Sequence, residues 1–167
     1  MMKISKNLTL KEVMYSQTAI RKGIDNTPTE EHIEKLKLIA EKIFQPLREH
    51  FGVPICVSSG YRSKELNKAI GGAHKMVNGV YVPTSQHCKG EAFDLDADTY
   101  GKITNKQIFD YIAENLEYDQ LIWEFGTEYP DGNPNWVHVS YSEGNNRMKK
   151  LTASKKEGYP TIYRYIK

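Results

Sequence analysis

The twelve residues Ser85-Gln86-His87-Cys88-Lys89-Gly90-Glu91-Ala92-Phe93-Asp94-Leu95-Asp96 decide how the rest of the chain is read. A histidine and an aspartate stand seven positions apart, with Gly90 between them as a turn residue. From Ala92 to Ala97 the pattern alternates: Ala92, Asp94 and Asp96 share one side of a strand, and Phe93, Leu95 and Ala97 share the other. An aspartate in an apolar strand needs a partner, and a metal ion supplies one. A second histidine, His138, lies in Trp136-Val137-His138-Val139-Ser140-Tyr141, a short apolar run that reads as another strand. Two imidazoles and one carboxylate form the protein ligand set of a catalytic zinc site whose fourth position is left to water. His87, Asp94 and His138 are therefore the candidate Zn2+ ligands, and the set points to a metallohydrolase.

Upstream, Thr27-Pro28-Thr29-Glu30 predicts a helix start, with Thr27 as cap, Pro28 in the first turn and Glu30 completing a capping box. Ile33, Leu36, Ala40, Ile43 and Leu47 recur at helical spacing, and Pro46 and Gly52 read as stop signals. Val53 to Ser58 reads as a strand leaving into the turn Ser59-Gly60-Tyr61-Arg62-Ser63, and Lys64 to Ile70 as a short helix halted by Gly71-Gly72. Within residues 73–84, Asn78-Gly79 signals a small hairpin or a loop insertion. Downstream, Thr104 to Leu116 reads as a helix and Gln120 to Phe125 as a strand. The loop 126–135, rich in Gly, Pro, Asn and Asp, leads to the returning strand Trp136–Tyr141. Residues 1–26 read as an extended or loosely helical lead-in, and residues 142–167 as a basic, Tyr-rich segment with a last strand at Thr161–Ile166. The expected fold is α+β over one domain, 1–167: a small antiparallel sheet carrying the zinc site in a cleft, with helices packed behind.

Composition bounds the function. The 167 residues suffice for one buried core, and 39% hydrophobic with 26% charged residues is an ordinary soluble balance. A net charge of +2 gives no ground for a nucleic-acid partner. Cys56 and Cys88 allow one disulfide, which their spacing does not demand, and neither belongs to a CxxC pair, so a cysteine-rich structural zinc site is excluded. The start MMKISKNLTLKEVM has no continuous apolar stretch of the kind a signal peptide needs, and no run approaches a membrane span. A soluble monomer made in the cytoplasm, without membrane insertion, is expected.

Strand geometry suggests the rest of the chemistry. In a hairpin of the strands 120–125 and 136–141, Glu124 can share a face with His138 without being a ligand. A carboxylate there can take a proton from the attacking water and return it to a leaving amine. Glu124 is the candidate general base, with Asp96 and Glu128 as weaker candidates. Arg62, in the turn after a strand, can bind a substrate carboxylate or a developing oxyanion. Cys88 reads as a buried thiol and His32, His50 and His74 as solvent-side residues. A Ser59–His87–Asp94 triad lacks a supporting nucleophile elbow.

SSGYRS, SQHCKGEAFDLD, LIWEFG and WVHVSY, in that order, resemble the zinc D-alanyl-D-alanine carboxypeptidase family. That family includes phage L-alanyl-D-glutamate endolysins, vancomycin-resistance dipeptidases and the hedgehog signalling domain. Its motif SxHxxGxAxD is filled here by Ser85, His87, Gly90, Ala92 and Asp94, and the resemblance spans roughly residues 10–142. It implies that His87, Asp94 and His138 bind zinc and that Arg62 contacts substrate or oxyanion. It also implies peptidoglycan peptides as substrate, and a phage-type lysin released by a holin or an enzyme of cytoplasmic peptides. The chain departs from the family at Trp136, where many members carry the first histidine of HxH, and at Asn135, where several carry the catalytic acid. Asn135 keeps open a second reading, a zinc-stabilised binding or phage structural module without catalysis.

Overall fold

A computed structural model describes residues 1–167. The chain opens with strands β1 (Lys3–Ser5) and β2 (Leu8–Thr9) and helices α1 (Leu10–Met14) and α2 (Gln17–Lys22). A helical rod follows: α3 (Glu30–Ile39), a π-helical turn over Ala40–Phe44, and α4 (Gln45–Phe51). Then come β3 (Cys56–Ser59), α5 (Lys64–Ala69), the strands β4 (His74–Val77) and β5 (Val80–Pro83), and a 3-10 turn over Gln86–Lys89. After β6 (Ala92–Asp96) and a second 3-10 turn (Ala97–Tyr100) lie α6 (Asn105–Asn115), β7 (Gln120–Glu124), β8 (Trp136–Ser140), β9 (Lys149–Ser154) and β10 (Ile162–Tyr165).

The main sheet has six strands in the order β10-β9-β7-β8-β6-β3. Alternation gives it two unlike faces. Phe93 and Leu95 of β6, Leu121 and Trp123 of β7, and Val137 and Val139 of β8 are buried in one core with Leu36, Ile39, Ile43 and Leu47 of the rod and Ile108, Phe109 and Ile112 of α6. Each such side chain stabilises the fold by roughly 1.5–3 kcal/mol on burial. The α+β class and the helices behind the sheet agree with expectation. The opposite face, freed from core packing, carries Asp94, Glu124 and His138.

The sheet is mixed rather than antiparallel. β9 runs parallel to β7, with Gln120 opposite Lys149 and Glu124 opposite Ala153. β8 ends beside the start of β7, with Leu121 opposite Val139. Residues 141–148 then pass across that end to the far side of β7, so the next strand runs with β7 and not against it. Arg147 fixes the crossing: its Nε and Nη2 donate to the two carboxylate oxygens of Asp119 at 2.7 and 2.8 Å, and Asp119 is buried.

The lead-in is ordered rather than loose. Thr9 and Glu12 form a capping box at α1, and Ile4, Leu8 and Val13 are buried. The rod's cap is Thr29, not Thr27: Thr29 Oγ1 accepts from His32 N at 3.2 Å, while Thr27 N donates to Asp25 Oδ1. Pro46 does not stop the rod. The wide π turn, in which Gln45 N donates to Ala40 O, precedes it, and Pro46 sits in the first turn of α4, where a missing N–H costs little. Gly52, at φ 66°, does end the rod. Residues 73–84 form the predicted hairpin, with Asn78 and Gly79 both at positive φ.

Candidate metal centre

Three elements bring the candidate ligands together. His87 sits on the 3-10 turn, Asp94 on β6 and His138 on β8, where Asp94 and His138 are direct cross-strand partners. One ligand atom from each lies within 4.8 Å of the others. Ser85 caps the turn by accepting from His87 N, and Gly90 closes it at φ 75°. A Cβ on Gly90 would stand 2.7 Å from the His32 carbonyl oxygen. Gly90 is the turn residue read from sequence, and Ser85 is its cap.

The hydrogen bonds select the tautomer of His87. Its Nδ1 lies 2.7 Å from the Gly60 carbonyl oxygen, which only accepts, so Nδ1 carries the proton and Nε2 keeps a lone pair. Gly60 is itself set by close approach: a Cβ there would lie 2.3 Å from Val13 O, and Tyr61 N donates to that same oxygen at 2.7 Å. His87 Nε2 is buried, has no hydrogen-bond partner and lies 3.3 Å from Asp94 Oδ1. His138 Nδ1 approaches the same oxygen at 3.0 Å. An orphaned buried lone pair costs about 1–3 kcal/mol, and a cation between these atoms removes that cost. Burial lowers the basicity of His87, leaving the neutral ring a ligand needs. Burial also pushes the Asp94 carboxyl up, but positive charge at the His87 and His138 positions outweighs it and holds the group well below the usual carboxylate range; with His87 neutral, a bound cation would supply that charge. Two nitrogen donors and one carboxylate fit a zinc-type ion.

Arg62 and Glu124 flank this group. The Arg62 Nη2 lies 3.6 Å from Asp94 Oδ2, its Nε donates to Ser59 Oγ, and its Nη1 donates to Asn67 Oδ1. Glu124 is on the face of His138, since Ile122 pairs with His138 and Glu124 with Trp136. It is 8% exposed, and its carboxyl is pushed up to about 7, mainly by burial. His138 and Arg62 pull it down and Asp94 pushes it up, which places it within electrostatic reach of all three. All five side chains line one cleft of about 1000 Å³. Such a carboxyl can hold a proton or release it near neutral pH, the property a proton shuttle needs.

The other candidates do not join the cleft. Asp96 Oδ1 accepts from Asn105 Nδ2 at 3.0 Å, and Glu128 lines a separate cavity with Trp123 and Tyr129. His50 stacks on Tyr111 and His74 on Tyr81, both exposed, whereas His32 is half-buried against Tyr61. Cys88 is half-buried rather than buried, because its segment is a 3-10 turn and not extended. Ser59 Oγ is engaged by Arg62, and His87 Nε2 has no hydroxyl partner, so no serine triad forms.

Two supporting residues carried no signal in the sequence. Asn67 is fully buried on α5 and donates to Tyr81 Oη and Ala73 O, tying the β4–β5 hairpin to Arg62. Asn105, also fully buried, accepts from Ala97 N at 2.7 Å and points its amide nitrogen at Asp96, Asp98 and the carbonyls of Pro134 and Asn135. It thereby fastens the loop that delivers β8.

A model of the peptidase M15 family matches residues 6–140, a span that holds the three candidate ligands, Arg62 and Glu124. The chain belongs to the peptidase M15 family. None of the curated proteins compared with it matches. Membership makes this M15 chain a metallopeptidase by family, and the His87–Asp94–His138 group is a place where a metal can bind. No helix of the M15 chain is long and apolar enough to cross a membrane.

Proposed function

We propose that this M15 family member is a zinc-dependent peptidase of bacterial cell-wall peptides, of the D-alanyl-D-alanine carboxypeptidase or endolysin type. The observation that carries the reading is Glu124, a buried carboxyl on the sheet face of His138, in one cleft with the His-Asp-His group. His87 Nε2, Asp94 and His138 would hold the ion. Zinc in such a site supplies Lewis acidity, acidifying water toward neutrality and polarising a carbonyl. Glu124 accepts the proton of the attacking water and delivers it to the leaving nitrogen. Arg62, beside the second oxygen of Asp94, offers its guanidinium to a substrate carboxylate or to charge developing on the scissile carbonyl oxygen. The cell-wall substrate rests on the resemblance of SSGYRS, SQHCKGEAFDLD and WVHVSY to the carboxypeptidase and endolysin motifs.

The test is purified protein on peptidoglycan, with and without a chelator, following release of free amines. Release that stops with chelator and returns with zinc is expected. Stoichiometric zinc binding without any chelator-sensitive release would overturn the peptidase reading.

A further inference from the structure

Residues 141–167 lie beyond the span matched by the family, yet they build one wall of the cleft. The Arg147–Asp119 pair anchors the segment, and β9 then lies along β7 with Leu151 opposite Ile122 and Ala153 opposite Glu124. β10 adds outside it, with Tyr163 opposite Ala153. Residues directly opposite one another share a face, so Trp136, Glu124, Ala153 and Tyr163 form one row across four strands. Ile122, Leu151 and Ala153 are buried together, with Phe125 against them, as an apolar ledge beside Glu124.

Tyr163 stands at the outer end of that row and lines the same cleft as Glu124 and the three candidate ligands. It is 55% exposed, so its ring forms the rim and not the floor. Two strand spacings put its backbone roughly 10 Å from that of Glu124, within reach of a phenol overhanging the ledge. Its hydroxyl is raised by burial first and then by the charges of Glu124 and Asp94, which places it in their field. Elsewhere the cleft is lined by polar side chains, among them Gln86, Lys89, Glu91 and Arg147. A peptide lying across the site therefore meets a contiguous apolar patch beside Glu124.

We propose that Tyr163 is a substrate-contacting, specificity-determining residue, its ring, with Ile122 and Leu151, holding an apolar substrate side chain on the Glu124 side of the cleaved bond. The proposal rests on the peptidase reading. Its test is calorimetric binding of the stem peptide L-Ala-γ-D-Glu-L-Lys-D-Ala-D-Ala to the zinc-loaded full chain carrying Glu124→Gln, with Tyr163 intact or changed to Ala. Tyr163→Thr, which retains strand propensity, is the second variant. An aromatic contact of this kind predicts about 5- to 10-fold weaker binding in both, with zinc content and Tm unchanged. In the active background the same variants raise KM by a similar factor and leave kcat within about twofold. Equal affinity with and without Tyr163, or no binding of the peptide at all, overturns the proposal. Tyr163-dependent binding in a protein whose wild type never cleaves the peptide would instead overturn the peptidase reading and leave the Tyr163 contact standing.

Discussion

Replacing Glu124 with glutamine keeps the side chain's size and removes its charge, and the consequence for stability depends on pH. Folding raises this carboxyl from 4.5 to about 7, chiefly by burial. Below pH 4.5 the group is protonated in folded and unfolded chains alike and has no differential effect. Between 4.5 and 7 the unfolded chain releases the proton while the folded chain keeps it, so stability falls as pH rises. Above 7 the penalty is complete, about 3 kcal/mol at about 1.4 kcal/mol per pH unit. Glutamine does not titrate. The metal-free Glu124→Gln protein is therefore expected to exceed wild type by about 3 kcal/mol at pH 8, or roughly 6–12 °C in Tm for a chain of this size, and to match it near pH 4.5. Thermal unfolding in chelator across that pH range reads the difference. Zinc favours the ionised carboxylate through its own charge, so loading with zinc narrows the gap. The same substitution removes the proton shuttle and lowers kcat by about 10²–10⁴-fold. A Tm difference that does not vary with pH would refute the burial argument, and a near wild-type rate would refute the role of Glu124 as base.

Gly90→Ala places a side chain at φ 75°, 2.7 Å from the His32 carbonyl, and is expected to lose about 2 kcal/mol or more in urea denaturation and to weaken zinc in a competition titration. Asn105→Ala removes the bonds to the Pro134 and Asn135 carbonyls and leaves Ala97 N unpaired; a lowered denaturation midpoint worth about 2–4 kcal/mol, at unchanged slope, is expected. Arg147→Met leaves the buried Asp119 without its cation. The expected loss is about 2 kcal/mol at pH 7, below the full cost for a buried pair because the Arg147 side chain is 41% exposed. Arg147 is the main cause holding Asp119 down at about 2, against 3.8 ordinarily, so wild type sheds this stability as pH falls from about 4 to 2 and the variant does not.

The sheet face that gathers His138, Asp94 and Glu124 was legible because strand alternation is a local signal and each of these residues interrupts an apolar run. The helical rod was legible for the same reason, through Leu36, Ile43 and Leu47. What escaped depends on contacts far along the chain. Lys149-Lys150-Leu151-Thr152-Ala153-Ser154 buries only Leu151 and Ala153 and reads as surface until β7 is seen beside it. Its parallel direction follows from a crossing held by Asp119 and Arg147, residues that look like ordinary surface charges in the sequence. The pieces between Lys3 and Lys22 are each too short to announce themselves by periodicity and are ordered by packing. Asn67 and Asn105, polar residues in short helices, give no local sign that they are fully buried.

The contact between Val13 and Gly60 gives the beginning of the chain leverage over the candidate ligands. Val13 O receives the Tyr61 amide, Gly60 fits against Val13, and the Gly60 carbonyl fixes the ring of His87. The orientation of one imidazole thus depends on a five-residue helix that contains no ligand. Proteolytic trimming of the first fifteen or so residues, or a bulky tag that prevents them from docking, would free the His87 ring to turn and weaken metal binding, while every residue of the His-Asp-His group remained in place.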